Sequence, residues 1–360
     1  MADSTSNASG GTFLFGKRIQ ATGETVPAPK KPRRYIKDLQ AGEICEDQVF
    51  LIGQKDLRTT SNGSLYIHCV LVDKTGQMLG RMWQATEAMY EQIPEGGFLR
   101  LRGRVENYKG NMQFIIDALR PCDPSTVELS EFMPQTSEDI PQMFERVKEI
   151  LRGIKNRHLL NLIGQFIKDE ALMEKFRKAP AAIQMHHAYI GGLLEHTRNV
   201  LELALLVIPR YPQVSLDLVL AGIFLHDIAK THELSYETCF QYTSEGQLIG
   251  HIVQSVIWIE EKVKALEAET GEPFPRDIKA ALEHIVLAHH GSYEFGSPKI
   301  PAMPEAIALH HLDNLDAKLH MYCEKISSDN DPSSEWTEFV RGLDTKIYKR
   351  DVMGVRGGAK

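Results

Sequence analysis

The chain changes its hydrophobic period partway along. From residue 35 to about 123, apolar and polar positions alternate in short runs, the spacing of strands with one buried face. Strands are predicted at 49–52, 65–72, 78–83, 98–105 and 112–119. Asp73-Lys74-Thr75-Gly76 and Asn107-Tyr108-Lys109-Gly110-Asn111 read as turns, and 85–92 as a short helix between the third and fourth strands. After residue 140 the apolar positions take up a helical period. Helices are predicted at 141–153, 159–176, 188–207, 216–229, 251–268, 276–290 and 304–326. The stretch 216–229 is apolar almost throughout, which places it at the centre of a bundle. The expected architecture is multidomain, a small all-β barrel followed by an all-α bundle. Its parts are a disordered arm at 1–34, the barrel at 35–123, a linker and helix at 124–160, the helical domain at 161–326 and a polar tail at 327–360.

Composition narrows this picture only a little. The chain has 360 residues, 42% hydrophobic and 25% charged, as in an ordinary soluble protein of more than one domain. The net charge of -7 gives no global basic field, so contact with nucleic acid requires a local patch. The arm carries Lys17, Arg18, Lys30, Lys31, Arg33 and Arg34 against Asp3 and Glu24. It reads equally as a phosphate-touching segment and as a solvated tail. Cys45, Cys69, Cys122, Cys239 and Cys323 are scattered, odd in number and without a CxxC pair, which argues against a disulfide framework or a thiolate zinc site. There is no apolar run of about 18 residues for a membrane span. The N-terminal MADSTSNASGG has no apolar segment of a secretory signal. A cytoplasmic protein is expected, with the oligomeric state open.

The histidines carry the chemistry. Thirteen of the fourteen lie between His158 and His320, and several stand beside carboxylates. The ordered set is His196, His226-Asp227, His251, His289-His290 and Asp313. Helices can project such ligands to one point. Adjacent His226 and Asp227 would diverge by about 100° on a helix, which suits a carboxylate bridging two metals beside a histidine holding one. Nitrogen and oxygen donors without thiolate suit Mn, Fe, Ni, Co, Zn or, less well, Mg. Lys230 lies four residues after His226, on the ligand side, where its ammonium could offset phosphate charge in a transition state or merely complement a helix C-terminus. His310 shares a face with Asp313; His284, His311 and His320 read as structural or exposed. His186 and His187 precede the ligand helix, with substrate contact and packing both open. Gly191-Gly192 inside a helical pattern points to a close approach of either a neighbouring helix or a substrate.

In the barrel, Arg100, Arg102 and Arg104 alternate with Leu99, Leu101 and Gly103 and so share a strand face. Tyr66 and His68 share another, and Trp83 and Tyr108 add aromatic surface. Basic groups tracking a backbone beside rings for base stacking are what single-strand binding requires; a plain solvated exterior with Trp83 in the core is the alternative.

Three strands, a helix and two strands is the order of an OB-fold, and Leu71-Val72-Asp73-Lys74-Thr75-Gly76 followed by Trp83 resembles nucleic-acid-binding OB-folds. The helical half, with His-Asp-Ile-Ala-Lys at 226–230 inside an H…HD…D pattern, resembles the HD-domain phosphohydrolase superfamily. His251 after Gly250, and His289-His290-Gly291, resemble its two-metal members. The join of both halves, with Met185-His186-His187-Ala188-Tyr189-Ile190-Gly191-Gly192-Leu193-Leu194-Glu195-His196-Thr197, is similar to the YhaM-type 3′-to-5′ exoribonucleases over roughly 35–326. The resemblance implies a first metal held by His196, His226, Asp227 and Asp313. Asp227 would bridge to a second held by His251 with His289 or His290. It implies Mn²⁺ foremost, with Fe, Co, Ni or Mg as alternatives. The sequence departs from the family at Ala229, where Gly is common, and at Leu312, where Ala is common. Asp313 is preferred to Asp316 as ligand because Asp-Asn-Leu-Asp-Ala aligns on its first aspartate; Asp316 would orient a ligand instead. The implied activity is metal-dependent 3′-to-5′ hydrolysis of single-stranded RNA, and of single-stranded DNA as a further substrate, to nucleoside 5′-monophosphates, with Asp227 and Lys230 catalytic. Two rivals stand beside it, a hydrolase of small nucleotides and a non-enzymatic nucleic-acid-binding protein with a structural metal.

Overall fold

Strand β1 (Ile44–Thr59) is far longer than the predicted 49–52. Its pairing slips between Cys45 and Gln48 and again between Ile52 and Lys55, so the alternation that reveals a strand is interrupted twice. Asp47, at the first slip, has φ 61°, the left-handed region. Strands β2 (Leu65–Asp73) and β3 (Gly76–Trp83), short helix α1 (Glu87–Glu91), and strands β4 (Phe98–Tyr108) and β5 (Asn111–Cys122) follow the predicted order. The five strands form a closed barrel in the order β1-β2-β3-β5-β4, with β3 and β5 parallel and β4 back beside β1. That is the OB-fold arrangement. Ile67, Cys69 and Leu71 point inward with Phe50, Leu101 and Phe114. Gly103 sits at the β4–β5 register shift, where a Cβ would lie 2.0 Å from the Ile115 carbonyl oxygen.

The computed structural model describes residues 33–355 apart from 95, 109–110, 184–185, 237–239, 330 and 332. The arm expected at 1–34 lies outside them except for Arg33 and Arg34, as do Lys109, Gly110 and Met185.

The stretch 124–140 is a packed strap rather than a plain linker. Phe132 and Met133 are buried against Leu51 and Phe98 on the outer wall of the barrel, with the Phe98 and Phe132 rings 4.7 Å apart. Ile190, Tyr236 and Phe240 of the helical half pack on the same cluster. The barrel is thereby seated next to the segment that leads into the ligand helix.

The helical half comprises α2 (Ile140–Arg152), α3 (Arg157–Ile167), α4 (Glu170–Lys178), α5 (Gly192–Val207), α6 (Leu216–Leu225), α7 (Lys230–Glu233), α8 (Ser244–Ile249), α9 (His251–Thr270), α10 (Arg276–Ala288) and α11 (Pro304–Ser328). The helix predicted at 159–176 is two, because the Asp169 carboxylate accepts from Leu172 N–H and starts a new one. The helix predicted at 188–207 begins at Gly192. Gly191 has φ 83°, and a Cβ on Gly192 would lie 2.0 Å from the His187 carbonyl oxygen. The glycine pair therefore serves a close backbone approach within the protein. Helix α6 is buried from Val219 to Leu225 and forms the centre of the bundle. A Cβ on Gly222 would meet Ile285 at 2.6 Å, so α10 lies tight against it. The tail is not wholly polar. Ile347 is buried, and Trp336 and Tyr348 pair across a bridge with ring centroids 5.0 Å apart. No described helix is long and apolar enough to cross a membrane.

Candidate metal centre

Five segments of the helical half deliver the ligand set to one place. His196 lies within α5, His226 caps α6, His251 opens α9, His289 caps α10 and Asp313 lies on α11. The helix predicted through Ala229 ends at Leu225, and the chain turns at 226–229 before α7. His226 and Asp227 therefore diverge at a helix end rather than along one helix.

Each buried imidazole is tied down through Nδ1. His226 Nδ1 donates to the Ile223 carbonyl at 2.7 Å, and His289 Nδ1 to that of Val286 at 2.7 Å. His196 Nδ1 lies 2.8 Å from Asp316 Oδ2, and His251 Nδ1 3.0 Å from Glu233 Oε1. These contacts set ring orientation and leave Nε2 to face the centre. The Nε2 atoms of His196, His226, His251 and His289, with Oδ1 of Asp227, are buried and make no hydrogen bond. Buried polar atoms of that kind are costly and rare. Five facing one another is the arrangement a bound cation satisfies. The donor set of imidazole nitrogen and carboxylate oxygen fits a divalent transition metal.

The atoms fall into overlapping groups. His196, His226 and Asp227 can converge on one ion, as can His226, His289 and Asp313. His251, His289 and His290 form a further group. Asp227 stands between them. Its Oδ2 is 3.3 Å from His226 Nε2, and its Oδ1 is 3.3 Å from His251 Nε2 and 3.6 Å from His289 Nε2. Asp313 Oδ1 lies 3.2 Å from His196 Nε2. His290 is half-buried, with Nδ1 on the Phe295 carbonyl at 2.7 Å.

The charges balance locally. Burial opposes ionisation of Asp227, but His226 and Lys230 outweigh it and hold the carboxyl well below its usual range. Burial likewise opposes the Lys230 ammonium, and Asp227 raises it. Their contact is 2.6 Å, so Lys230 is turned onto Asp227 Oδ2 rather than into open space. Burial works against a charged His196, yet Asp313 and Asp316 bring it up to about 10. A proton and a metal ion are alternative cations for that pair of carboxylates. Burial lowers His251 and His289, and lowers His290 to about 4, which keeps these rings neutral and able to ligate.

Glu233 escapes sequence reasoning, and several histidines that the sequence leaves open take definite places. Glu233 grips His251 through both ring and backbone N–H; its acidity is raised by His251 against the effect of burial. His310 Nδ1 supports the His289 carbonyl at 2.8 Å, beneath Gly291. His186 lies 5.9 Å ring to ring from His196, and burial, then Lys230, push it down to about 3. His187 bonds Asp316 directly, and His320 joins it through Tyr189 and His187 in a partly buried network. By contrast, His284 accepts from Ala302 N–H, a purely structural bond.

On the barrel, the structure separates the expected residues into two sets. Tyr66 stacks on Trp83 with centroids 5.1 Å apart, and Trp83 is 43% exposed rather than in the core. Arg81, not singled out from the sequence, pairs across from His68. Its guanidinium lies 5.8 Å from the Trp83 ring and 5.7 Å from that of Tyr108. Arg100 and Arg104 belong elsewhere. Arg100 and Arg120 hold Asp47 at 3.2 and 2.6 Å, and Arg104 holds Glu106 and Asp117 at 2.9 and 3.1 Å. Arg102 is exposed.

Comparison with known proteins gives a family model for the helical half and relatives along most of the chain. The HD domain family model matches residues 193–318, the span from α5 to α11. The chain is 34% identical over 326 residues to the 3′-5′ exoribonuclease YhaM of Geobacillus sp. (strain WCH70), covering 87% of this chain and 95% of that protein. It is 34% identical over 317 residues to the protein of the same name from Listeria innocua, covering 87% and 97%. Among solved structures, the second OB-fold domain of replication protein A from Methanococcus maripaludis matches 27% of this chain and 100% of that one at 16% identity, with a TM-score of 0.21.

Proposed function

Because the chain belongs to the 3′-5′ exoribonuclease YhaM family, we propose that it is a metal-dependent hydrolase that shortens single-stranded RNA from the 3′ end to nucleoside 5′-monophosphates in the cytoplasm. One observation carries the metal dependence. Four buried imidazole nitrogens and a buried carboxylate oxygen face a common centre without hydrogen-bond partners.

His196, His226, Asp227 and Asp313 would hold one divalent ion, and Asp227, His251 and His289, with His290, a second. Manganese is the ion this donor set suits foremost, with iron, cobalt, nickel and magnesium as alternatives. Bound ions of this kind lower the pKa of water and offset charge on attacking and leaving oxygens. The chain's own residues supply the frame. Asp227 presents one oxygen to each side. Lys230 keeps Asp227 ionised, and its ammonium would offset negative charge on a phosphate brought to the centre. Glu233 and Asp316 hold the ligating rings in a single orientation.

The barrel would hold the strand. Tyr66, Trp83 and Tyr108 offer ring faces for bases, and Arg81 between two of them adds charge. His68 and exposed Arg102 flank these residues and the neighbouring strand. Stacking does not distinguish ribose from deoxyribose, so single-stranded DNA is a second substrate of the same face.

The test uses purified chain, Mn²⁺ and RNA labelled at the 5′ end. A ladder shortening from the 3′ end, with 5′-monophosphates released, is the expected result, and the same RNA blocked at its 3′ end stays intact. Internal fragments, or hydrolysis of mononucleotides alone, overturn the reading.

A further inference from the structure

Asp316 lies three residues beyond Asp313 on α11 and is buried. Its Oδ2 sits between two imidazoles, 2.8 Å from His196 Nδ1 and 2.9 Å from His187 Nε2. Its Oδ1 accepts from Asn199 Nδ2 at 3.2 Å. His187 is fully buried and holds φ 49°, a conformation a non-glycine residue keeps only when its surroundings demand it.

One assignment of protons satisfies the contacts of this network from the backbone outward. The His187 backbone N–H points to His320 Nδ1 at 3.4 Å, and a backbone N–H can only donate. His320 therefore carries its proton on Nε2, which meets the Tyr189 hydroxyl oxygen at 3.2 Å. The Tyr189 hydroxyl then donates to His187 Nδ1 at 2.7 Å. That leaves the His187 proton on Nε2, directed at Asp316. Asp316 accepts it and accepts the Nδ1 proton of His196 as well, so Nε2 is the His196 nitrogen left to exchange its proton for a metal ion. Glu195 Oε1 is 3.9 Å from His187 Nδ1, and Glu195 takes the Thr136 hydroxyl and offers the Tyr189 hydroxyl a second acceptor. A doubly protonated His187 would still donate from Nε2 to Asp316, so the outcome for His196 is the same.

We propose that Asp316 fixes which nitrogen of His196 is free to ligate, as the end of a positioning relay in which His320 and Tyr189 hold His187, and His187 holds the Asp316 carboxylate in place. The inference rests on the metal-centre reading above. It assigns no contact with substrate to these residues; they act through His196.

The test compares Asp316→Asn, Asp316→Ala and Tyr189→Phe with the unaltered full chain. Mn²⁺ affinity is measured by calorimetry, kcat and KM on RNA are measured separately, and thermal melts check folding. With its carbonyl oxygen in the place of Oδ2, asparagine still accepts from His196 and His187 and keeps the His196 proton on Nδ1; alanine accepts from neither. The relay therefore predicts that folded Asp316→Ala loses Mn²⁺ affinity about 10- to 100-fold, with kcat reduced and KM for RNA unchanged, and that Asp316→Asn recovers most of that affinity. Tyr189→Phe, which keeps the ring and removes the hydroxyl, loses less than Asp316→Ala. A purely structural role for Asp316 predicts a lowered thermal midpoint for alanine with the Mn²⁺ affinity of the folded protein unchanged. That outcome, or an Asp316→Asn variant no better than alanine, overturns the relay. Failure of the unaltered chain to bind any divalent ion overturns the metal-centre reading instead, so the two failures are told apart.

Discussion

The barrel face and the helical cluster are built from similar side chains, charged groups beside rings, yet they use them in opposite ways. In the cluster the polar atoms are buried, and five of them have no hydrogen-bond partner among the described residues. On the barrel the cations are exposed or half-buried, and two of the three arginines expected to bind the strand are already held by Asp47, Glu106 and Asp117. Burial without a partner marks a place where a ligand is needed to complete the structure. Exposure with a partner marks a surface already satisfied by its neighbours. What singles out the Arg81, Trp83 and Tyr108 group is that its cation rests on rings rather than on a carboxylate.

The largest expected effect tests the buried side of this contrast. Asp227→Ala removes the carboxylate that stands between both groups of ligands and leaves Lys230 buried without its 2.6 Å partner. Loss of RNA hydrolysis by about 10³-fold or more is expected in single-turnover assays with Mn²⁺. A chelator added to the unaltered chain gives a comparable loss, and added to the variant gives no further one. Activity of the variant within tenfold of the unaltered chain would end the argument from unpartnered atoms.

The next effect tests the exposed side. Arg81→Ala withdraws the cation from both the Trp83 and Tyr108 rings. KM for long single-stranded RNA should rise about 10-fold, in line with about 1–3 kcal/mol for loss of a stacking contact, while kcat holds. A dinucleotide too short to span barrel and cluster should be hydrolysed at the same rate by both proteins. A fall in kcat with KM constant would move Arg81 out of strand binding and into support of the fold.

Why the two regions differed in legibility follows from the same contrast. Candidate ligands are chemically restricted residue types, and His196, His226, Asp227, His251, His289 and Asp313 are visible as a set because few other residue types could coordinate a metal. Their supports were harder to see. Glu233, His187 and Tyr189 act across turns and between elements, where no periodicity links them to their partners. The barrel's order of elements followed from alternation and turns, but its working face depended on register. The Asp73-Gly76 turn fixes the pairing of His68 with Arg81 and of Tyr66 with Trp83, so that part was within reach of the sequence. The slips in β1 and at Gly103 were not, because a bulge leaves only a faint trace in composition. Those slips bring Asp47 against Arg100 and Arg120, and Asp117 against Arg104, and so alter which arginines stay available.

The smallest expected effect sharpens that last point. Arg104 is bonded to Glu106 at 2.9 Å and to Asp117 at 3.1 Å, with all three side chains close to half-exposed. Surface pairs of this kind contribute about 0–1 kcal/mol to stability. If the two carboxylates occupy its guanidinium, Arg104→Ala changes KM for RNA by less than about twofold and leaves the thermal midpoint nearly unmoved. An arginine that exchanges its carboxylates for phosphates would behave differently. KM would then rise several-fold at low salt, and the dependence of binding on salt would become shallower, since one fewer counterion would be released. Measuring KM for Arg104→Ala and Arg81→Ala at two ionic strengths therefore separates a neutralised cation from a working one. Equal salt slopes for Arg104→Ala and the unaltered chain, beside a shallower slope for Arg81→Ala, would show that the strand follows the rings and not the arginine row of β4.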